Sequence, residues 1–279
     1  MDNSRIAVLI TSYNRKDKTL ACLSALFAQI LPENVELTVY LVDDGCTDGT
    51  GEAVRQIYPQ VKVLEGDGSL FWNGGMRLSF SEAIKNNHDY YLWLNDDTIL
   101  YSNALNLLLS ESHHLTKKGE SKAIVVGSTQ AFSNGKLSYG GRRRSSWAHP
   151  LKFRLIEPGD ESVPCDTMNG NCVLIPREVV EVVGNLDPAY IHNMGDYDYG
   201  LRARRQGCSI WVAPGYVGKC ECHLPEWREP GLSFQKRLSK VSDPKGLLLK
   251  EWKIFAKRNA GFLWPIYWLL PYRKLLLLK

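Results

Sequence analysis

The sequence lacks the compositional extremes that mark specialised classes of protein. Basic and acidic residues nearly balance, 34 against 30, and the net charge of +4 gives no argument for nucleic-acid binding. With 44% hydrophobic and 23% charged residues, the composition excludes disordered, collagen-like and coiled-coil chains. A length of 279 residues fits one large domain, or one domain with an appendage.

Patterns for disulfide bonding, secretion and membrane insertion are also missing. The seven cysteines are irregularly spaced, which predicts reduced thiols in a cytosolic protein. Residues 1–5 lack the basic start and apolar stretch of a signal peptide. The longest uncharged stretch of the tail, 259–272, has 14 residues and contains two prolines, whereas a spanning helix needs about 20 apolar residues. We therefore expect a cytoplasmic protein.

Charge is unevenly distributed along the chain. Residues 245–279 contain eight basic residues and one acid, Glu251, so this tail carries +7 and the remaining chain −3. Its aromatic residues include Trp252, Trp264, Tyr267, Trp268 and Tyr272. This composition favours an amphipathic segment on an anionic surface, the inner face of the cytoplasmic membrane. The alternative is a helix packed on the catalytic domain or on a second subunit of an oligomer.

Strand and helix patterns alternate through the first half of the chain. Apolar, β-rich runs lie at 5–13, 37–42, 61–64, 90–94 and 123–127, with helical patterns between them, among them 76–87. Such alternation predicts a parallel α/β sheet, in which ligands bind outside the carboxyl ends of the strands. Three of these strands end in polar clusters that a parallel sheet would bring to one rim: 11–14, 43–44 and 95–97.

The paired acids at these strand ends predict a cation site. Adjacent carboxylates repel each other unless a cation or hydrogen-bond donors offset their charge. Capping or turn chemistry explains Asp43 tolerably, but it explains Asp96 and Asp97 poorly, because an apolar run follows them. Mg²⁺ typically uses one or two carboxylates together with substrate phosphates, so we favour a metal site at Asp97.

Four motifs in register carry a resemblance to a known family. They are Val8 to Arg15, Val42 to Thr50, Leu92 to Thr98 and Gly195 to Arg204. Over about residues 5–223 the sequence resembles family 2 glycosyltransferases, and especially bacterial enzymes that build cell-surface polysaccharides. The resemblance implies an α/β GT-A fold of residues 1–244 with a mixed central sheet. Its Rossmann-like donor half would be 1–127 and its acceptor half 128–244, followed by an amphipathic helical tail, 245–279.

The resemblance also implies a site for a nucleoside-diphosphate sugar donor. Thr11 and Tyr13 match residues that touch the nucleotide base. Asp44, or its neighbour Asp43, matches the acid that accepts a hydrogen bond from the ring NH of the base. The further donor-site residues implied are Asn14, Arg15, Gly74, Gly75, Arg77, Asn95 and Asp96. The alternative for the glycine-rich stretch 66–75 is a connection that packs Phe71 and Trp72 inward.

The same resemblance assigns the metal and the catalytic base. Asp97 would hold Mg²⁺ or Mn²⁺, although Asn95 replaces the first acid of a strict Asp-x-Asp pattern. His223 matches a histidine that often completes the metal site, and a packed or solvent-facing histidine is the alternative. Asp196 matches the base of the family, and Gly195 stands where a Glu usually precedes it. Charge chemistry at a helix N-terminus is the alternative for Asp196.

The acceptor side is implied more loosely. Its candidates are Trp93, Asn169, Gly170, His192 and Asp198. The Asn169-Gly170 segment resembles the one beneath the sugar site, or forms only a strand entry. His192 lines the acceptor pocket or satisfies a backbone group. The run 142–144 of three arginines is interpreted as a solvated loop, with an anionic acceptor or a membrane surface as the alternative.

These residues predict an inverting, metal-assisted glycosyl transfer. The donor would be a UDP- or dTDP-linked sugar, and the acceptor a hydroxyl of a saccharide or of a polyprenyl-linked saccharide. One alternative is a non-catalytic nucleotide- or sugar-binding protein on a decayed GT-A fold. The other is a sugar nucleotidyltransferase, which would need a basic glycine loop near residues 11–19, where no glycine occurs.

Overall fold

The computed structural model describes residues 4–222, 226–229 and 231–277. Strands and helices alternate through its first part, as the apolar periodicity predicts. These elements are β1 (Ser4–Ser12), α1 (Lys16–Phe27), β2 (Val35–Asp43), α2 (Thr50–Ile57), β3 (Lys62–Glu65), α3 (Phe71–Ile84), β4 (Tyr90–Leu94), β5 (Ile99–Leu100), α4 (Ala104–Lys117) and β6 (Ala123–Gln130).

Short strands and helices make up the second part. They are β7 (Leu137–Tyr139), β8 (Gly141–Arg144), β9 (Phe153–Leu155), β10 (Val163–Pro164), β11 (Thr167–Met168), β12 (Cys172–Pro176), α5 (Arg177–Val183), α6 (Gly195–Arg205), β13 (Ser209–Lys219), α7 (Phe234–Val241), α8 (Leu249–Asn259) and α9 (Trp264–Leu277). The stretch 128–165 therefore contributes strands to both sheets of the fold.

The main sheet is mixed, in the order β10-β13-β6-β12-β4-β1-β2-β3. Strands β1, β2, β3 and β4 pair in parallel, and β13 pairs in parallel with β6. Strand β12 lies antiparallel between β4 and β6, so those two strands point the same way. The carboxyl ends of β1, β2, β4, β6 and β13 and the amino end of β12 consequently share one edge of the sheet.

The faces of the sheet are closed by apolar packing. In β1, Ile6, Val8 and Ile10 pack on the side of α1 and α4, whereas Ala7 and Leu9 pack on the side of α3, α5 and α6. Burying each Val, Leu or Ile side chain stabilises the fold by about 1.5–3 kcal/mol. With both faces covered, the polar groups of the central strands lie at the two ends of the sheet.

Helix α3 begins at Phe71, five residues before the predicted start at Met76. The helix has no capping side chain of its own. Instead the carboxylate of Asp44, at the end of β2, accepts hydrogen bonds from the backbone N–H groups of Gly68, Leu70 and Phe71. A cap supplied by a remote strand leaves no local signature, which is why the sequence pattern placed the start too late.

The stretch 167–176 is divided between two strands, β11 and β12. Strand β11 joins a small antiparallel sheet in the order β11-β8-β9, while β12 joins the main sheet. The break at 169–171 is held by long-range bonds: Asn169 N–H donates to Gly140 O, and Asn95 N–H donates to Asn171 O. This interruption places Asn169 and Gly170 at the carboxyl edge.

The C-terminal helices pack on the acceptor half of the chain. Trp252 and Phe255 of α8 share an apolar cluster with Tyr190 and with Leu201 of α6. Among the described residues, no helix is long and apolar enough to cross a membrane. Residues 249–277 therefore form a layer against α6 rather than a detached appendage.

Candidate active site at the carboxyl edge of the sheet

The pairing of parallel strands fixes the relative positions of the three predicted polar clusters. Ser12 of β1 is paired with Asp43 of β2, and Leu9 is paired with Trp93 of β4. The segments 11–15, 43–46 and 95–97 thus emerge side by side. This arrangement is the rim that the alternation of strands and helices predicts.

Asp43 and Asp44, the two acids at the end of β2, accept hydrogen bonds from different segments. Asp43 Oδ1 accepts the N–H of Cys46 at 2.8 Å and so shapes the turn after the strand. Asp44, only 2% exposed, accepts the N–H of Gly68 at 2.9 Å and of Phe71 at 3.0 Å. In the structure Asp44 therefore holds the glycine-rich loop in place, and the choice of Asp43 or Asp44 as a base contact stays a prediction.

The residues after β1 surround this loop. Asn14, at φ +51°, accepts the N–H of Thr47 at 2.7 Å through its side-chain oxygen. Tyr13 is half exposed beside Gly68. A Cβ at Gly75 would come within 2.0 Å of Thr11 Oγ1, so only glycine lets α3 cross the end of β1 here. Gly74 lies in the same first turns of α3, against Leu70.

Arg15 bridges the two acids after β4. Its NH1 atom lies 3.1 Å from Asp96 Oδ1 and 2.9 Å from Asp97 Oδ2. Burial raises the pKa of Asp96 to about 6, and the charge of Arg15 opposes that rise. A positive group therefore already lies where two carboxylates converge, and the pair is suited to binding a cation.

Those two carboxylates fit a divalent ion only as part of a ligand set. They offer the hard oxygen donors that Mg²⁺ and Mn²⁺ take. Within 4–222, 226–229 and 231–277, no group of three or more His, Cys, Asp or Glu residues is arranged to hold a metal. The remaining ligands would then come from donor phosphates and water. His223, predicted as a further ligand, lies outside the described residues.

Asn95 is hydrogen-bonded to Trp72, an aromatic residue for which the sequence indicates inward packing as one alternative. Trp72 Nε1–H donates to Asn95 Oδ1 at 2.8 Å. The Trp72 ring also lies against Gly170, where a Cβ would come within 2.3 Å of it. An amide at position 95 accepts this bond without adding a third charge beside Asp96 and Asp97, which gives a physical reason for the departure from Asp-x-Asp.

Asp196, in the first turn of α6, is held by backbone donors. Its Oδ2 accepts the N–H of Gly170 at 3.1 Å, and its Oδ1 accepts the N–H of Tyr197 at 2.8 Å. Burial raises the pKa of Asp196 to about 6, against the effect of these bonds and of the charge of Arg142. A carboxylate with a pKa near 6 is ionised at neutral pH and basic enough to take a proton.

The residue before this acid is glycine for a steric reason. A Cβ at Gly195 would lie 1.9 Å from Asn73 Oδ1. Asn73, fully buried in α3, donates its amide N–H groups to the carbonyls of Asp187 and Tyr190. Because the Asn73 side chain fills the space, the Glu that the resemblance expects at 195 does not fit. Asn73 thereby links the donor-side helix to the loop that leads into α6.

Arg142 is the site residue that sequence reasoning missed. Its Nε–H donates to Asn169 Oδ1 at 2.8 Å, and its guanidinium lies 5.4 Å from the centre of the Tyr197 ring. Interpreted from sequence as part of a solvated loop, Arg142 instead brings a positive charge close enough to Asp196 to affect its pKa. The only local signal was the glycine pair before it, which lets β8 pack closely on Cys165 and Val212.

Two predicted acceptor residues are displaced from the site. Trp93 is fully buried, and its ring packs on Trp72, Phe80 and Tyr199. As alternate residues of a buried strand face the two covered sides of the sheet, this indole belongs to the core. Its assignment to the acceptor is corrected accordingly.

Asp198 is likewise a structural residue. It is fully buried, and its carboxylate accepts hydrogen bonds from Arg202 Nε–H at 2.9 Å and Tyr190 O–H at 3.1 Å. Arg258 of α8 adds a third contact, at 3.4 Å. With both oxygens engaged in the interior, Asp198 joins α6 to the C-terminal layer and has no face for an acceptor.

His192 and Arg77, two further residues predicted from the sequence, lie in different surroundings. His192 Nδ1 lies 3.5 Å from the backbone N of Trp72, and burial together with Lys245 and Arg15 lowers the pKa of His192 to about 4. This histidine is therefore neutral at pH 7, beside the entrance to α3. Arg77, in the second turn of α3, has its carbonyl bonded to Asn185, and its Nε is buried without a partner among the described residues. A phosphate contact for Arg77 stays a prediction.

Comparison with known proteins identifies relatives in sequence. A model of the family described as "Glycosyltransferase like family 2" matches residues 4–240. Two curated relatives from Mycobacterium tuberculosis, strains CDC 1551 / Oshkosh and ATCC 25618 / H37Rv, are named N-acetylglucosaminyl-diphospho-decaprenol L-rhamnosyltransferase. Each is 24% identical to this chain, over 67% of this chain and 67% of the relative.

Solved structures share the architecture. S. aureus TarS superimposes with a TM-score of 0.57 and 14% identity, over 91% of this chain and 42% of the TarS chain. TarS 1–349 in complex with UDP gives 0.55 and 12%, over 91% of this chain and 70% of that one. The UDP-GlcNAc complex gives 0.56 and 12%, over 89% and 66%. At such identities the likeness shows the fold alone, and it confirms the predicted GT-A architecture.

Proposed function

The chain belongs to the glycosyltransferase-like family 2 and is a sugar-transferring enzyme, and we propose that it acts in bacterial cell-surface polysaccharide synthesis. From this premise we propose that it moves a sugar from a UDP- or dTDP-linked donor, with inversion, to a hydroxyl of a lipid-linked saccharide. The observation that carries the proposal is the rim itself. Asn95, beside Asp96 and Asp97, donates its N–H to Asn171 O, and Gly170, the residue before Asn171, donates its N–H to Asp196.

Among the proposed roles, the geometry supports best that of Asp196 as the catalytic base. Asp196 is fixed by the N–H groups of Gly170 and Tyr197, so its carboxylate is oriented before an acceptor arrives. It would remove the proton of the acceptor hydroxyl as that oxygen attacks the anomeric carbon from the face opposite the leaving diphosphate. General-base help of this kind is worth roughly 10²- to 10⁴-fold in rate.

The donor side would hold the nucleoside diphosphate. The predicted place of the nucleotide base lies among Thr11, Tyr13 and the loop that Asp44 holds. Arg15 is the nearest described cation to the pair Asp96 and Asp97. A divalent ion on Asp97 and Asp96 would neutralise the charge that develops on the leaving diphosphate. Arg15, released from those acids, would be free to contact the phosphates.

The acceptor class comes from the relatives and from the composition of the tail. The name of the M. tuberculosis relatives describes transfer of rhamnose to a diphospho-decaprenol-linked sugar, which supports a polyprenyl-linked acceptor for this chain. Such an acceptor lies in a membrane, and the basic, aromatic tail supports peripheral association with the inner leaflet. We place the reaction at that cytoplasmic surface.

A thermal-shift panel tests the donor site. Purified protein would be melted with UDP, dTDP, GDP or CMP, each with Mn²⁺ or with EDTA. A ligand at 100 times its Kd stabilises a protein by about 2.7 kcal/mol, so UDP or dTDP should raise the melting temperature in a metal-dependent way. Asp97→Ala should lose this shift, while Asp160→Ala, an exposed acid outside the proposed donor site, should keep it. The absence of a shift with every nucleotide would overturn the proposal.

A further inference from the structure

The C-terminal helix α9 and the short 3₁₀ turn before it, Gly261–Leu263, carry an exposed apolar stripe. Phe262, in the turn, is 89% exposed, and Ile266 and Leu269, in α9, are 56% and 54% exposed. The spacing of three and four residues places Ile266, Leu269 and the exposed Arg273 on one face of α9, and Phe262 precedes that face by four residues. Large apolar side chains aligned in this way mark a surface that contacts something apolar.

The stripe is not exposed through loose attachment of the helix. On the opposite face of α9, Trp252 Nε1–H donates to the carbonyl of Trp268 at 3.0 Å, and Tyr272 O–H donates to Leu247 O at 2.9 Å. Tyr267 O–H bonds in turn to the carbonyl of Ala148 in the acceptor half. One face of α9 is thus anchored in the protein while the other is apolar and open.

The charge around the stripe has one sign. Exposed lysines follow helical spacing along the neighbouring α8, at Lys250, Lys253 and Lys257, and Lys253 lies 5.5 Å from the centre of the Trp268 ring. The single acid of the tail, Glu251, is 4% exposed and faces inward. An apolar stripe bordered by cations complements a surface that is apolar inside and anionic outside.

A second copy of the chain fits this surface less well. A stable dimer buries about 800 Å² per partner, far more than three side chains offer. Two copies related by a twofold axis would also bring like-charged lysines together, which opposes association. A bilayer supplies both the apolar depth and the negative charge.

We propose that the stripe of Phe262, Ile266 and Leu269, with the lysines of α8, docks on an anionic lipid bilayer and thereby holds the acceptor side of the site against it. The inference rests on the proposed function, because a lipid-linked acceptor would present its sugar at that surface. It goes further in naming the face of the protein that contacts lipid.

Packed helices connect the proposed lipid-contacting face to the proposed catalytic base, Asp196. Helix α8 lies between α9 and α6, since its Trp252 donates to the carbonyl of Trp268 in α9 and its Phe255 packs against Tyr197, the residue after Asp196. Arg258 of α8 bonds to Asp187 at 2.7 Å and reaches Asp198 of α6. The contact face and the base are therefore parts of one rigid layer, so docking sets the height of Asp196 above the membrane.

Vesicle co-sedimentation tests the docking face. The chain would be mixed with vesicles of phosphatidylcholine alone, or of phosphatidylcholine with phosphatidylglycerol. We expect binding to the anionic vesicles that weakens with salt, and at least tenfold weaker binding for the triple variant Phe262→Ser, Ile266→Ser and Leu269→Ser. The matched control is Ile30→Ser, Ile57→Ser and Phe132→Ser, three exposed apolar residues outside the C-terminal layer, which should bind as the parent does.

Hydrogen exchange supplies a reading that needs no variant. Anionic vesicles should protect backbone amides of 261–270 and leave those of α2, on the donor half, unchanged. Protein that stays in the supernatant with anionic vesicles would overturn the inference, as would equal binding by the two triple variants. A concentration-dependent dimer lost only in the α9 variant would overturn it in favour of a second copy.

The nucleotide melting shift separates this inference from the proposed function. The α9 variant should keep the metal-dependent shift with UDP or dTDP, because none of its substitutions touches the carboxyl edge. Loss of lipid binding with the shift retained supports the docking face and leaves the enzyme intact. A shift missing in the parent would count against the proposed function alone.

Discussion

The proposed donor and acceptor sides of the site are built in different ways. On the donor side, Asp44 and Asp96 follow parallel strands directly, and each is held by groups on the same rim: the 68–71 backbone for Asp44 and Arg15 for Asp96. On the acceptor side, Asp196 begins a helix and depends on Gly170, on Arg142 and on a layer of C-terminal helices. The donor side is thus fixed by sheet register, whereas the acceptor side is assembled from distant segments.

The largest expected effect separates the two sides at once. Asp196→Asn removes the base and keeps the size of the side chain, so turnover should fall roughly 10²- to 10⁴-fold. The donor nucleotide should still raise the melting temperature, because Asp196 lies on the other side. Asp160→Asn, an exposed acid of the acceptor half, is the control. Turnover near that of the parent would remove Asp196 from the mechanism.

The second effect is on the stability of the donor side. Asp44→Ala leaves three backbone N–H groups without their acceptor, and each unsatisfied buried donor costs about 1–3 kcal/mol. We expect unfolding in urea to show a loss of about 3 kcal/mol or more, together with weaker nucleotide binding. Asp67→Ala removes an exposed carboxylate from the same loop and should cost far less. Equal losses in both variants would contradict the role of Asp44 as the cap of α3.

The third effect tests whether the C-terminal layer belongs to the acceptor side. Arg258→Met breaks the bonds to Asp187 and Asp198, and with the guanidinium partly in solvent we expect a loss of about 1 kcal/mol. Acceptor KM should rise while donor KM stays unchanged. Lys136→Met, an exposed cation in the loop before β7, is the control. A matching rise in donor KM would show that the two sides are not separable in this way.

A smaller effect concerns the cation already on the donor acids. In Arg15→Gln the pair Asp96 and Asp97 loses its guanidinium, so Mn²⁺ meets no competing cation. Removal of one charge-assisted contact worth about 1 kcal/mol should tighten Mn²⁺ binding several-fold, measured by electron paramagnetic resonance without nucleotide. Lys18→Gln, an exposed cation of α1, should change nothing. Weaker Mn²⁺ binding in Arg15→Gln would mean that the arginine supports the ion.

The smallest expected effect is a shift of a pH profile. Because Asp196 acts ionised and its pKa is raised to about 6, kcat/KM should fall as the pH drops through about 6 and level off above it. The charge of Arg142 favours the carboxylate, so Arg142→Gln should move this acid limb to higher pH. Arg144→Gln, whose side chain is exposed, should leave it in place. An unmoved limb in Arg142→Gln would show that Arg142 does not act on the base.

The contrast between the two sides also explains what the sequence could predict. The continuous apolar run of β1 and the acids after β2 and β4 are local signals, so the sheet edge and Asp96 and Asp97 could be found. The cap of α3 by Asp44 and the approach of Arg142 to Asp196 join residues that are far apart in the chain. Such pairings depend on tertiary packing, which no local pattern records.

Two residues show how a motif can mislead. Trp93 and Asp198 sit next to functional motifs, yet the first alternates into the core of the sheet and the second is enclosed by Tyr190, Arg202 and Arg258. Proximity in sequence to a reacting group says nothing about which way a side chain faces. The repeat of the strand or helix decides which way a side chain faces, and for Trp93 the alternation of the strand could be inferred from the sequence.

The packing of Trp252 and Phe255 on Tyr190 and Leu201 limits how the gene can be trimmed. An expression clone stopped at residue 244, the sequence-based boundary, would uncover this apolar cluster and leave Asp198 without Arg258. The product should collect in inclusion bodies, even though every residue of the predicted GT-A domain is present. A soluble variant for crystallisation is better sought by changing the α9 stripe than by cutting the chain.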